Sequence, residues 1–116
     1  LSVPRAFLAA SAMMILYDSP LIMSCLICEN TIDDSTSQGG GGGIWCGENH
    51  SEPEIINCTI ANNSSYCGGG IHSYYTAHPV ITNCIFWGNT SLNGAQIALT
   101  STSCSSSLTI SYSVVQ

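Results

Sequence analysis

Two consecutive stretches decide the fold: "GGGIWCGENHSEPEIINCTIANNSSYC" (41–67) and "GGGIHSYYTAHPVITNCIFWGNTSLN" (68–93). They are copies of one unit. Ile44 aligns with Ile71, Pro53 with Pro79, Ile55 with Ile81 and Asn57 with Asn83. Cys58 then aligns with Cys84, Ile60 with Phe86 and Asn63 with Asn89. The offset is 27 residues at the glycines and 26 beyond the intervening loop. A fixed period of this length marks a stacked repeat, in which one unit cannot bury its apolar face alone.

The glycines could be a slack linker, a phosphate cradle or a turn. A phosphate loop needs a lysine after its last glycine, and the chain has none. A dinucleotide fingerprint needs a helix next, and "IWCGENHSEPEI" has no helical pattern. Return of the same glycines before the same isoleucine makes them a recurrent turn, where glycine supplies a positive φ. Gly41, Gly42 and Gly43, and then Gly68, Gly69 and Gly70, therefore mark unit boundaries.

Each unit holds three short apolar-alternating pieces. They are "GIWC", "EII" and "CTI" in one copy, and "GIHS", "VIT" and "CIFW" in the next. Alternation at period two reads as strand. Three strands per turn, stacked about 4.8 Å from the next turn, make a parallel β-helix. This predicts an all-β solenoid of about four coils. Ile44, Cys46, Ile55, Cys58 and Ile60 should point inward, followed by Ile71, Ser73, Ile81, Cys84 and Phe86. Trp45, His72, Thr59 and Trp87 should point outward. Asn57 and Asn83 fall where the chain must bend between strands, and asparagine tolerates the left-handed conformation. Asn30, Asn63 and Asn89 should form a second column, able to hydrogen-bond from coil to coil as in fibrillar ladders.

Two weaker copies flank these. "AMMILYDSPLIMSCLICEN" (12–30) aligns Ile15 with Ile44, Pro20 with Pro53, Cys25 with Cys58 and Asn30 with Asn63. "GAQIALTSTSCSSSLTISYSVVQ" (94–116) aligns Ile97 with Ile71, Ile110 with Ile81, Ser113 with Cys84 and Val115 with Phe86. The coils are thus about 12–40, 41–67, 68–93 and 94–116, with 1–11 unassigned. "AFLAASAMMIL" (6–16) also has the look of a signal peptide, so residues 1–16 read either as a degenerate coil or as a signal-like segment. The chain begins with Leu, which points to a piece of a longer protein.

Composition bounds the partners. Charged residues are 7% of the chain and the net charge is -6, with Arg5 the sole Lys or Arg. Phosphate backbones and anionic membranes need clustered cations, so nucleic acid is excluded and membrane docking is not expected. No stretch is apolar for the roughly 18 residues that a spanning helix requires. A Ser, Thr and Asn surface without lysine suits an extracellular or cell-surface protein.

"GGGI" at 41–44 and 68–71 is linked in register to "IANN" (60–63) and "FWGN" (86–89), with "ICEN" (27–30) as a further copy. This pairing resembles the repeats of polymorphic outer membrane proteins and related right-handed parallel β-helix proteins, over about residues 12–116. The resemblance implies a right-handed winding and an exported bacterial protein at the outer membrane or outside the cell, structural or adhesive; it does not imply an enzyme.

The chemical candidates are few. Seven cysteines leave at least one unpaired within the chain. Cys25, Cys58 and Cys84 share one aligned position and should form an inward thiol column. Whether they are buried free thiols or take part in disulfides, with Cys67 or Cys104 as loop partners, stays open. "CLIC" (25–28) has CxxC spacing without a second copy, a weak zinc signal. His50, His72 and His78 read as surface imidazoles. Asp33-Asp34 is a weak calcium candidate, and Glu48, Glu52 and Glu54 share one loop. Parallel β-helices also host pectin-degrading lyases and hydrolases, which need convergent acids or a strong base. No such cluster is visible, and no cofactor or metal is expected. The competing reading is a fragment of a pectate-lyase-like or polygalacturonase-like enzyme whose catalytic residues lie elsewhere. Outward Trp45, Tyr74, Tyr75 and Trp87 are the candidates for contact with a surface glycan or protein, and neighbouring coils are the remaining partners.

Overall fold

The computed structural model describes residues 13–33, 40–47, 50–100 and 107–116. All regular structure among them is β. The first coil, or rung, contributes β1 (Met13–Leu16), β2 (Leu21–Met23) and β3 (Leu26–Cys28). The second adds β4 (Ile44–Gly47), β5 (Glu54–Ile56), β6 (Thr59–Ala61) and β7 (Ser64–Cys67). The third repeats this as β8 (Ile71–Tyr74), β9 (Val80–Thr82), β10 (Ile85–Trp87) and β11 (Thr90–Asn93). The fourth holds β12 (Ile97–Thr100), β13 (Thr109–Ser111) and β14 (Val114–Val115).

Every pairing joins equivalent strands of successive rungs in parallel. The first sheet runs β1-β4-β8-β12, the second β2-β5-β9-β13 and the third β3-β6-β10-β14. A short fourth sheet pairs β7 with β11. It is absent from the sequence reading because "SSYC" and "TSLN" lack the apolar alternation that marks the other strands.

Core columns follow from register. Ile22, Ile55, Ile81 and Ile110 stack in the second sheet, and Ile27, Ile60, Phe86 and Val115 in the third. In the first sheet Met13, not Ile15, stands beside Ile44, while Ile15 stands beside Cys46. The first unit is therefore misaligned by two residues in the sequence comparison. The corner between β1 and β2 is shorter than that between β4 and β5, and it absorbs the difference. Met13–Leu16, the end of the signal-like stretch, is a strand of the first rung; residues 1–12 lie outside the described residues. Ile44, Ile55, Ile60, Ile71, Ile81 and Phe86 are fully buried. Each contributes about 1.5–3 kcal/mol through removal from water.

The corners use left-handed residues in register. Ser24, Asn57, Asn83 and Tyr112 have φ of 53°, 55°, 54° and 50°, so the bend between second and third strands recurs in all four rungs. Gly41, Gly68 and Gly94, with φ of 67°, 61° and 67°, open the first strands. Gly43 and Gly70 are small for another reason: a Cβ at Gly70 would press on the Asn89 amide at 3.1 Å and on Phe86.

That amide belongs to a buried ladder. Asn30 Nδ2 donates to Asn63 Oδ1 at 2.9 Å, and Asn63 Nδ2 to Asn89 Oδ1 at 3.0 Å. Asn63 Nδ2 also donates to Ile27 O, and Asn89 Nδ2 to Ile60 O. The ladder ends on Gln96, whose Oε1 accepts from Asn89 Nδ2 at 2.6 Å. Gln96 stands where the earlier units have Gly43 and Gly70, and its side chain takes the next place in the amide column. A lighter ladder runs outside, with Asn83 Nδ2 donating to Asn57 Oδ1 at 2.6 Å.

Candidate functional site

Two outer faces carry aromatic side chains, and they differ in kind. On the first sheet, Trp45 pairs with His72, and His72 with Ala98. Alternation directs these side chains away from the core, as the sequence implies, but they are not exposed. Trp45 is 4% accessible and His72 fully buried. The indole lies flat over Gly47, two residues ahead on the same face, where any Cβ would strike its ring. It stacks on Tyr74 of the next rung, with centroids 5.7 Å apart and planes at 29°. His72 sits edge-on to Trp45 and Tyr74, beneath Gly40, where a Cβ would meet its Nδ1. Tyr75 extends the stack from half-buried Tyr74 at 6.1 Å. The expected outward contacts at Trp45 and His72 are thus corrected: Tyr74, in the adjacent column opposite Gly47, covers them. Among the described residues the Trp45 Nε1 has no hydrogen-bond partner, so apolar packing holds the ring. Burial pushes the His72 pKa down to about 4, leaving a neutral imidazole.

At the fourth rung this column shrinks to Ala98. The corner opens there into a groove of about 490 Å³ between Tyr66, Cys67 and Asn93 on one wall and Ile97 and Ala98 on the other.

The third sheet presents the opposite case. Its outward columns are Leu26, Thr59, Ile85 and Val114, and beside them Cys28, Ala61 and Trp87. None of these side chains bears a charge. Trp87 is 54% accessible, and Leu26, Ile85 and Val114 on the same face are exposed as well. Of the four aromatics singled out by sequence, only Trp87 stands on open surface. Leu26, Ile85 and Val114 were missed, although the register that puts Ile27, Phe86 and Val115 inside puts their neighbours outside.

The thiols follow their register. Cys58 Sγ donates to Ile56 O and Ile22 O, and Cys84 Sγ to Thr82 O and Ile55 O, each bridging to the rung before. Both are buried, whereas Cys25, in the same column, is exposed. The expectation of an inward, covered thiol is corrected there: Cys25 occupies the outermost described rung. Cys25, Cys28, Cys46, Cys58, Cys67 and Cys84 are all free; Cys104 lies outside the described residues. Burial pushes Cys46 up to about 12, and raises Cys58 and Cys67 as well.

The remaining candidates stay apart. His50 and His78 stack across adjacent rungs at 6.1 Å with planes 18° apart. His78 Nδ1 is 2.7 Å from Ser107 Oγ. Asp33, Glu52 and Glu54 are exposed, and Asp34 and Glu48 lie outside the described residues. Among the described residues no three His, Cys, Asp or Glu side chains come together as a metal site, and no helix is long and apolar enough to cross a membrane.

A family model described as a right-handed β-helix region matches residues 15–116. The chain belongs to the right-handed β-helix family. The match spans all four rungs and agrees with the parallel, rung-by-rung pairing. This β-helix family includes enzymes and non-enzymes, so membership assigns no activity. No curated protein and no solved structure matches the chain.

Proposed function

We propose that this β-helix is a non-catalytic scaffold segment of an exported bacterial surface protein, and that its third-sheet face contacts a glycan or protein partner. One observation carries the reading: an uncharged outer face on which Trp87 is more than half exposed among Leu26, Ile85 and Val114. Exposed apolar patches of this kind mark interaction surfaces. Tryptophan supplies a large apolar plane and is over-represented among residues dominating binding energy. Export is supported by the linked "GGGI" and "FWGN" motifs and by a surface of Ser, Thr and Asn with almost no cations. Tyr74 and Tyr75, half-buried at the first-sheet corner, are secondary contact candidates.

The test is adhesion of beads coated with the protein to host-cell surfaces and to immobilised glycans. Trp87→Ala should lower adhesion at least tenfold with an unchanged circular dichroism spectrum. Equal adhesion by wild type and Trp87→Ala would remove the third-sheet face from the proposal. Release of unsaturated or reducing-end sugars from pectin by the wild-type chain would replace the scaffold reading with an enzymatic one.

A further inference from the structure

We propose that Cys25 and Cys58 are the two halves of a peroxide-formed disulfide that staples the first rung to the second. This staple is independent of the contact proposed for Trp87.

Leu26 is in register with Thr59, and Thr59 N–H donates to Cys25 O at 2.9 Å. Cys25 and Cys58 are therefore side by side on neighbouring parallel strands. Such strands lie about 4.8 Å apart, inside the roughly 4.4–6.8 Å Cα separation that a disulfide spans. The Cys58 sulfur leans toward the first rung, donating to Ile22 O at 3.6 Å. Access selects this pair. Cys25 is exposed, while Cys58 and Cys84 are buried, so an oxidant in solution meets the column at Cys25. Cys28, the other accessible neighbour, pairs with Ala61 and faces no thiol across the rung.

The chemistry balances with hydrogen peroxide as oxidant. The Cys25 thiolate attacks one peroxide oxygen; an S–O bond forms, the O–O bond breaks and hydroxide leaves. The Cys58 sulfur then attacks the Cys25 sulfur. The S–S bond forms, the S–O bond breaks, and the Cys58 proton goes to the departing hydroxide. Two thiols and one peroxide yield one disulfide and two waters. The bond closes residues 25–58, the stretch that holds the whole glycine corner, and so constrains the unfolded chain.

The experiment compares reduced protein before and after mild peroxide treatment. Intact mass should fall by two hydrogens, and the melting temperature should rise by roughly 10 °C. Chymotryptic mapping without reduction should recover Cys25 linked to Cys58. Cys25→Ser should abolish the mass change and the thermal shift. Cys58→Ser should leave Cys25 as a sulfenic acid that dimedone traps. A bond joining any other pair in the wild type would overturn the proposal. So would over-oxidised Cys25 with Cys58 still a free thiol.

Discussion

The inner rungs and the fourth rung carry the same inward pattern and end in different environments. Ile55, Ile60, Ile81 and Phe86, stacked on both sides, are fully buried. Leu99, Ile110 and Val115 occupy equivalent inward columns, yet are 51%, 38% and 46% exposed. At the other end Ile15, Ile22 and Ile27 are buried. An inward position in a solenoid is thus only a direction. Burial comes from the rung above and the rung below, so stability accumulates through nearest-neighbour interfaces.

The sharpest way to break this contrast is truncation within one column. Phe86→Ala should cost about 3–5 kcal/mol, the usual penalty for a cavity in a packed core. Val115→Ala, one rung on, should cost under about 1 kcal/mol because much of its surface already meets water. Urea denaturation reads both; equal losses would mean that the fourth rung is covered in solution.

The amide ladder gives the next largest effect. Asn63→Ala removes a side chain that serves Asn30, Ile27 and Asn89 at once. Stranding those buried groups should cost about 3 kcal/mol. Asn83→Ala, in the exposed ladder, loses one side-chain bond and a residue tolerant of its φ of 54°. It should cost about 1 kcal/mol. If both variants melt alike, burial does not separate the ladders.

Acid probes the covered first-sheet face. The folded His72 pKa of about 4 lies below the usual 6.5, so between these values the unfolded chain binds the additional proton. Its contribution is complete above pH 6.5 and is lost as pH falls toward 4, at most about 3 kcal/mol at 1.36 kcal/mol per unit. A His72→Gln variant should flatten that part of the stability profile. An unchanged slope would show that the imidazole is solvated.

The smallest readout is thiol accessibility in the native state. Cys25 should react with an aromatic disulfide reagent at once, whereas Cys46, fully buried and pushed up to about 12, should react only on unfolding. Early modification of Cys46 would show the rungs opening faster than the register implies.

Much of this was legible in the chain itself. "GGGI" recurs after 27 residues and "NC" after 26, because every rung must turn at the same corner and refill the same core slots. That placed the isoleucines, Cys58, Cys84 and both asparagine columns. Aligning Ile15 with Ile44 puts the first rung two residues out of register, because period-two alternation looks the same at Met13 and at Ile15. Without the glycine marker, only the length of the corner loop separates them. The fourth sheet escaped because its strands exist through backbone pairing between rungs and carry no side-chain pattern.

Sequence alone therefore determined the repeat, its β-helical winding and which side chains face inward, since these rest on local alternation and on the backbone demands of each corner. Only the tertiary structure decided what lies bare. Trp45 is hidden because Gly47 leaves room for its ring and Tyr74 arrives from the next rung. Trp87 is open, with only Ala61 beside it on the rung before. Cys25 is open while Cys58 is closed, although both stand in one column. Accessibility depends on residues that meet through stacking, and that meeting is written in no single unit.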